Sequence, residues 1–306
     1  MSGVCSAECL SNTARTSWRI SEVLGDHHFD VTRRWLPAPL SGADGIACLT
    51  RAEEVKLSQV ELGAYAHLLG CLEEFIAPTM MRLARDVELD NRAAFEVLSG
   101  VATEDIKHIG LFREVRARVN GALGFPLALL PEVRRVTSVV LSKHVGAVLL
   151  LTASTELLSE QHYLTCFQED ASLDSLTRRI FKAYWLEASQ HARLVHRESL
   201  RVFQGMAAAE RDEAIDDFIE LMLGMEGLLH VQARFDVENL LRYIRRPLVK
   251  REQTEILAAV LAAKRYTFIE SGLIHPSFRE LFSLVATRAQ RQRVEEALGA
   301  TLTTAA

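Results

Sequence analysis

The sequence lacks a long apolar run. Its longest apolar stretch, from Val145 to Ala153, is nine residues long and is interrupted by Gly146. Because a helix needs about 20 apolar residues to cross a bilayer, no membrane-spanning segment is expected. The first residues also lack a basic segment followed by an apolar one, which is the pattern of a secretory signal peptide. The sequence therefore favours a soluble, cytoplasmic protein.

An excess of basic residues and a regular cysteine spacing are also missing. The 35 lysines and arginines are outnumbered by 40 acidic residues, so the net charge of −5 gives no basic footprint for nucleic acid. The five cysteines are odd in number and scattered. Cys5 and Cys9 lie four residues apart, but no later pair completes a zinc-binding spacing. Free thiols are therefore predicted, and a nucleic-acid partner is not.

Signals for β-strands are almost absent, and the chain predicts an all-α protein. Its 306 residues, 49% of them hydrophobic, suffice for one large domain or two small ones. Apolar residues recur at intervals of three and four, the pattern of amphipathic helices. Pro78 is expected to kink or break the first long helix, and Asn91 to cap the second. Residues 1–50 predict an irregular N-terminal arm and residues 51–306 a helical domain, with helices over 58–85, 92–119, 133–167, 176–203, 207–241 and 252–270 and a short one after Pro276.

One spacing of acidic residues and histidines occurs twice. A glutamate is followed 31 residues later by a second glutamate, and four residues after that by a histidine: Glu73, Glu104 and His108, then Glu156, Glu187 and His191. Two helical hairpins of this kind are what a four-helix bundle needs to hold metal ions in its core.

The residue types in this repeat suit a metal site. Residues three or four apart share a helix face, so Asp105 with His108, or Glu187 with His191, can point at one ion. Carboxylate and imidazole ligands suit iron or manganese. Glu73 and Glu156 lie on otherwise apolar helix faces, where a carboxylate without a partner is costly, and this also favours a cation.

Five segments carry a resemblance to a known family. They are residues 72–78 (LEEFIAP), 104–112 (EDIKHIGLF), 156–163, 185–192 (WLEASQHA) and 267–276, and the resemblance extends over about residues 55–295. The chain resembles the ferritin-like di-iron oxygenases related to p-aminobenzoate N-oxygenase. The resemblance implies a ferritin-like four-helix bundle with additional C-terminal helices, whose core holds iron that activates O₂.

The resemblance also implies an activity and its partners. The expected reaction is the oxidation of an amine or related group on a small, often aromatic molecule, commonly in specialised metabolism. An electron donor protein and a homodimer are further expectations from the family.

In the family, a ligand carboxylate precedes each histidine by three residues, and a second acid just before it supports the ligand. If this pattern applies to the chain, the ligands in the first half are Asp105, His108 and either Glu73 or Glu74. Glu104 then takes the supporting position. In the second half Glu156 and His191 match. Ala188, however, stands where the ligand carboxylate is expected, and Tyr184 stands where the family has a further histidine.

Three interpretations of the second half remain open at this stage. Glu187 could replace the missing ligand. The second site could be empty or weak, which leaves a single ion at Glu73, Asp105, His108 and Glu156. Alternatively, the bundle core could bind or rearrange a small molecule without metal, with Tyr184 and the remaining acids as acid–base groups.

The sequence thus predicts a metal-dependent oxygenase or oxidase for a small organic molecule. Its cofactor would be iron, as one or two ions, or manganese, with O₂ as co-substrate. The candidate catalytic residues are Glu104 and Tyr184, and the candidate metal ligands are Glu73, Asp105, His108, Glu156, Glu187 and His191.

Overall fold

The computed structural model describes residues 17–87, 91–131 and 133–299, apart from the side chain of Val133. Regular structure in these residues is helical, without a β-strand, which confirms the predicted all-α class. Cys5, Cys9 and residues 1–16 of the predicted arm lie outside the described residues. The helices are α1 (Ile20–Leu24), α2 (Ala38–Ser41), α3 (Arg51–Arg85), α4 (Arg92–Leu123), α5 (Val133–Ser142), α6 (Val145–His162), α7 (Ser175–Gln204), α8 (Ala208–Ile244), α9 (Lys250–Arg265), α10 (Ser271–Leu273), α11 (Pro276–Val285) and α12 (Arg288–Leu298), with π-helical turns at Tyr163–Phe167 and Tyr266–Glu270.

Helices α3 and α4 form a long antiparallel hairpin. Thr50 begins α3 with a capping box, in which its hydroxyl accepts from the backbone N–H of Glu53 and the Glu53 carboxylate accepts from that of Thr50. The expected break at Pro78 does not occur, since α3 continues as a helix to Arg85. Asn91 caps α4 as predicted, by accepting from the N–H of Ala94. The hairpin supplies half of the bundle core.

Helices α6 and α7 form the second antiparallel hairpin. The prediction of one helix over 133–167 was wrong, because the chain breaks between α5 and α6. At the break, the backbone N–H of His144 donates to Asp217 at 2.7 Å, and His144 Nδ1 accepts from the N–H of Gly146. Asp174 then caps α7 by accepting from two backbone N–H groups. The break depends on a carboxylate from α8, which the local sequence does not contain.

The two hairpins pack together around one apolar core, and the remaining helices cover it. Helix α8 crosses both α3 and α6, α9 packs on α8, and α10–α12 lie against α6, α7 and α8. Residues 17–50 contain α1 and α2 and otherwise irregular backbone, and they insert fully buried side chains such as Trp35 and Leu36 into the core. None of the described helices combines the length and apolar character that a bilayer span requires.

A buried ionic cluster joins α3, α8 and α9. Lys264 Nζ lies 2.7 Å from Glu61 Oε2 and 2.8 Å from Asp236 Oδ2, and all three side chains are at most 2% exposed. Gln232 also donates to the Asp236 carboxylate. Burial, together with the charge of Asp236, raises the pKa of Glu61 to about 8. Burial also raises the pKa of Asp236, so the two carboxyl groups together favour retention of a proton beside the charged Lys264.

Candidate metal centre

Four helices bring buried carboxylates and histidines to one point in the core. Helix α3 supplies one residue, α4 two, α6 one and α7 one, and each is at most 1% exposed: Glu73, Asp105, His108, Glu156 and His191. The Nδ1 atom of His108 lies 3.4 Å from Glu73 Oε1. The Nδ1 atom of His191 lies 3.2 Å from Asp105 Oδ1 and 3.6 Å from Glu156 Oε1. One ligand atom each of Asp105, His108 and His191 lies within 4.8 Å of the other two.

The two histidines are oriented by glutamates of the opposite hairpin. His108 Nε2 lies 2.9 Å from Glu187 Oε2, and His191 Nε2 lies 2.7 Å from Glu104 Oε2. In each pair the ring Nε2–H donates to the carboxylate, which leaves Nδ1 facing the centre. A carboxylate behind the ring of a metal-binding histidine fixes its tautomer in this way. The repeated Glu-x-x-x-His spacing therefore reflects an exchange of supporting carboxylates between α4 and α7.

The atoms that face the centre have no hydrogen-bond partners. Buried polar atoms in proteins are almost always paired, so a group of unpaired ones requires an explanation. Seven such atoms come from five residues: Glu73 Oε2, Asp105 Oδ1 and Oδ2, His108 Nδ1, Glu156 Oε1 and Oε2, and His191 Nδ1. A cation bound among them would satisfy oxygen and imidazole donors at once. The residues present thus fit a metal ion.

A second buried polar chain in the same bundle is fully paired, by contrast. Tyr65 OH lies 2.8 Å from His162 Nδ1, and His162 Nε2 lies 2.9 Å from Ser271 Oγ, which itself donates to the carbonyl of Thr267. Because Ser271 uses its proton on Thr267, His162 Nε2–H donates to Ser271 and Nδ1 accepts from Tyr65. Unpaired buried atoms also occur elsewhere among the described residues, but the seven at the centre belong to five side chains that face one point.

The charged groups at the centre perturb one another strongly. Burial raises the pKa of Asp105 to about 6 and that of Glu156 to about 7. Burial alone would lower the pKa of His108, but the charge of Glu73 and the hydrogen bond to Glu187 outweigh it and raise the pKa to about 9. The metal-free centre therefore retains protons near neutral pH. A metal ion would displace them, so its affinity should fall on acidification.

Tyr184 lies at the edge of the centre as a hydrogen-bond donor. Its hydroxyl donates to Glu73 Oε1 at 2.8 Å and accepts from Ser159 Oγ at 3.2 Å. Its ring packs edge-on against His108, with centroids 4.9 Å apart. Burial and the neighbouring carboxylates raise the pKa of Tyr184 well above its usual value, so it remains a neutral phenol. Ala188 is fully buried and brings no ligand to the centre.

Two glutamates considered as ligands have other partners. Glu74 faces the outside of the bundle, where its Oε1 accepts from Arg113 Nη2 at 2.7 Å. Glu187 is buried, but one of its oxygens accepts from His108 and the other lies 2.5 Å from Lys107 Nζ. Glu73 thus faces the centre in place of Glu74, and Glu187 stands behind the ring of His108.

Two residues that the sequence did not single out, Lys107 and Trp18, also support the centre. Lys107 balances the charge of Glu187, and its Nζ lies 4.1 Å from the ring centroid of Trp18. Trp18 stacks on His108 at 5.9 Å between centroids. The position of Lys107 directly before His108 gives no indication of this role. Trp18 lies 90 residues from His108 in a segment without periodicity, so no local signal connects them.

Comparison with solved structures gave a likeness at low sequence identity. No protein-family model matches the chain, and no curated protein matches it. Among solved structures, the chain is similar to a variant of an R2-like ligand-binding oxidase with an aerobically reconstituted Mn/Fe cofactor. The identity is 13% over 85% of this chain and 93% of that chain, with a TM-score of 0.43. The proposal below is based on the geometry of the centre.

Proposed function

We propose that this chain is a metal-dependent oxidase or oxygenase of the non-haem iron type that acts on a small organic molecule. The observation that carries the proposal is the set of seven unpaired donor atoms that four helices direct to one buried point. A carboxylate from each of two helices, with an acid-x-x-His pair on a third, follows the pattern of metal sites in four-helix bundles. The carboxylate expected at Ala188 is absent, and Tyr184 takes the place of a further histidine.

The donor set indicates which metal would bind. Two imidazoles and one carboxylate, from His108, His191 and Asp105, form the ligand combination of non-haem iron(II) oxygenases. Glu73 and Glu156 add hard oxygen donors that iron or manganese accepts. Because the three ligand atoms lie within 4.8 Å of one another, we assign them to a single tightly bound ion. When bound, this metal would supply one-electron chemistry with O₂.

The residues of the chain itself position the ligands and control protons. Glu104 and Glu187 hold the two imidazoles with Nδ1 toward the centre. Tyr184 donates a proton to a hydrogen bond with Glu73, so the phenol can orient that carboxylate and keep a proton within reach of it. Burial of all these groups excludes bulk water. We also propose that an external donor supplies electrons and that the substrate is a small organic molecule.

The neighbouring pair Glu73 and Glu74 allows a matched test of the centre. Protein purified after expression with added iron should contain about one metal ion per chain by elemental analysis. Glu73→Gln should lower the affinity for Fe²⁺ at least tenfold, since it removes a charged donor from the centre. Glu74→Gln should leave the affinity unchanged, because that side chain faces Arg113 on the outside.

Two results would contradict the proposal. Native protein without iron, manganese or zinc after metal supplementation would favour the alternative, a metal-independent protein that binds or rearranges a small molecule. Equal losses from Glu73→Gln and Glu74→Gln would mean that the effect is not specific to the centre.

A second prediction concerns the carboxylate that is missing from α7. Residue 188 precedes His191 by one helical turn and shares its face. Ala188→Glu should complete the ligand set of a two-metal site and raise the metal content from about one to about two ions per chain. Ala188→Gln, which has the same size without the charge, should not. Both contents can be measured by titration of metal-free protein with Fe²⁺ under anaerobic conditions. No rise with Ala188→Glu would mean that α7 does not present this position to a second ion.

A further inference from the structure

A basic pocket lies on the outer side of the α3–α4 hairpin, where α5 begins. Its volume is about 660 Å³, within the range of about 300–1,000 Å³ typical of small-molecule sites. The small residues Ala66 and Gly70 leave room along α3. Among the described residues, the lining contains four arginines and one glutamate: Arg113, Arg116, Arg134, Arg135 and Glu74. Arginines thus outnumber acids in the described lining, whereas the whole chain has a net charge of −5.

Arg113 and Arg116 each contact a side chain of the pocket, and only one of those partners is acidic. Glu74 pairs with Arg113, with 2.7 Å between Oε1 and Nη2. Arg116 contacts a neutral group, because its Nη1 donates to His67 Nδ1 at 2.7 Å. The other ring nitrogen of His67 donates to the carbonyl of Leu130 at 2.9 Å, so the imidazole carries one proton and no charge. His67 thus fixes the guanidinium of Arg116 without neutralising it.

A further guanidinium is available for a ligand. The side chain of Arg134 is exposed, and it has no polar partner among the residues that the structure describes. Guanidinium groups bind carboxylate and phosphate oxygens through paired, charge-assisted hydrogen bonds. A rigid Arg116 and a free Arg134 on the same pocket therefore present donors for an oxyanion.

The pocket also has an apolar side and lacks a nucleophile. Ile109 and Pro131, which are not buried, contribute apolar surface against which a hydrocarbon or ring can pack. Burial raises the pKa of the Cys71 thiol to about 12, so the thiol remains protonated and unreactive at neutral pH. These features suit binding rather than covalent chemistry.

We propose that this pocket binds a small organic anion, whose carboxylate or phosphate group contacts Arg116 and Arg134 and whose organic part packs on Ile109 and Pro131. The site is separate from the metal centre. Phe112 forms the wall between them, since its ring also packs against Tyr184 with centroids 5.0 Å apart.

Binding can be measured by isothermal titration calorimetry on the metal-free protein at low ionic strength, so the result does not depend on the proposed activity. The probes are phenyl phosphate, benzoate, inorganic phosphate and the uncharged benzyl alcohol. We expect saturable binding of at least one organic anion, at least tenfold tighter than that of benzyl alcohol and of inorganic phosphate. The tighter of phenyl phosphate and benzoate identifies the charged group that the pocket takes. Added salt should weaken the binding.

Three variants test the assignment to the arginines. Arg134→Gln, at an exposed position, should weaken binding about tenfold, and Arg116→Gln combined with Arg134→Gln about a hundredfold. Arg251→Gln, an exposed arginine at the start of α9, should change binding by less than twofold. The proposal is overturned if neither organic anion saturates the native protein. It is also overturned if Arg134→Gln binds as tightly as Arg251→Gln, or if inorganic phosphate binds as tightly as the organic anions.

Discussion

Replacement of Lys264 by methionine is expected to lower the free energy of unfolding by about 3–5 kcal/mol, the usual cost of breaking a buried ion pair. The ammonium group is the only cation within contact of Glu61 and Asp236 among the described residues, at 2.7 and 2.8 Å. Methionine fills a similar volume but leaves a carboxylate charge buried without compensation. Urea unfolding followed by circular dichroism measures the change.

Two control variants separate the buried charge from other effects. Lys143→Met removes a partly exposed lysine that pairs with Asp217 and Glu220, and it should cost at most about 1 kcal/mol. Neutralising the whole cluster, by adding Glu61→Gln and Asp236→Asn to Lys264→Met, should restore most of the lost stability. If Lys264→Met lowers the free energy of unfolding as little as Lys143→Met does, protonation of Glu61 and Asp236 compensates for the loss of the lysine.

The second large effect is expected at the metal centre, where Asp105→Asn should act in opposite directions on metal binding and on stability. The substitution removes the charge of the carboxylate that has a ligand atom within 4.8 Å of ligand atoms of both His108 and His191, so affinity for Fe²⁺ should fall more than about 100-fold. Loss of an outer supporting group already costs about 10–100-fold. The metal-free protein, however, should become more stable by about 1–3 kcal/mol. Burial of Asp105 outweighs its contact with His191 and raises the pKa of the carboxyl group to about 6, so a neutral amide here avoids the cost of desolvating a carboxylate.

These two quantities can be measured on the same samples. Fe²⁺ titration gives the affinity, and urea unfolding with a chelator present gives the stability of the metal-free form. Asp216→Asn, at a carboxylate that is 61% exposed, should change neither. A metal-free Asp105→Asn protein that is less stable than the native one would show that Asp105 contributes to the fold without a metal. The unpaired oxygens would then need another explanation.

The sequence was informative where a feature depends on neighbours along one helix. Apolar periodicity located the long helices α3, α4 and α7, and Asn91 was correctly identified as a cap because its partner, Ala94, is three residues away. The spacing of acids and histidines also identified the side chains that the structure brings together, because residues three or four apart share a helix face.

Features that depend on distant residues could not be predicted. The break before α6 requires Asp217, 73 residues away from His144. The sequence of α9 around Lys264 does not indicate that carboxylates from α3 and α8 pair with this lysine. The spacing of Glu187 and His191 shows that both lie on one face of α7, but not that Glu187 contacts the histidine of the other hairpin. The ligand role predicted for Glu187 is therefore not part of the proposed centre, because both of its oxygens already have partners.

The exchange of glutamates between the hairpins has a consequence for how metal enters the protein. Neither hairpin alone holds its histidine in the orientation that a metal ion needs, because the supporting carboxylate belongs to the other hairpin. A partly folded chain with separated hairpins would thus have no high-affinity site. Docking of the hairpins forms the hydrogen bonds that orient His108 and His191. Metal uptake should therefore follow folding, as an exchange of protons for an ion at a site that only the docked hairpins create.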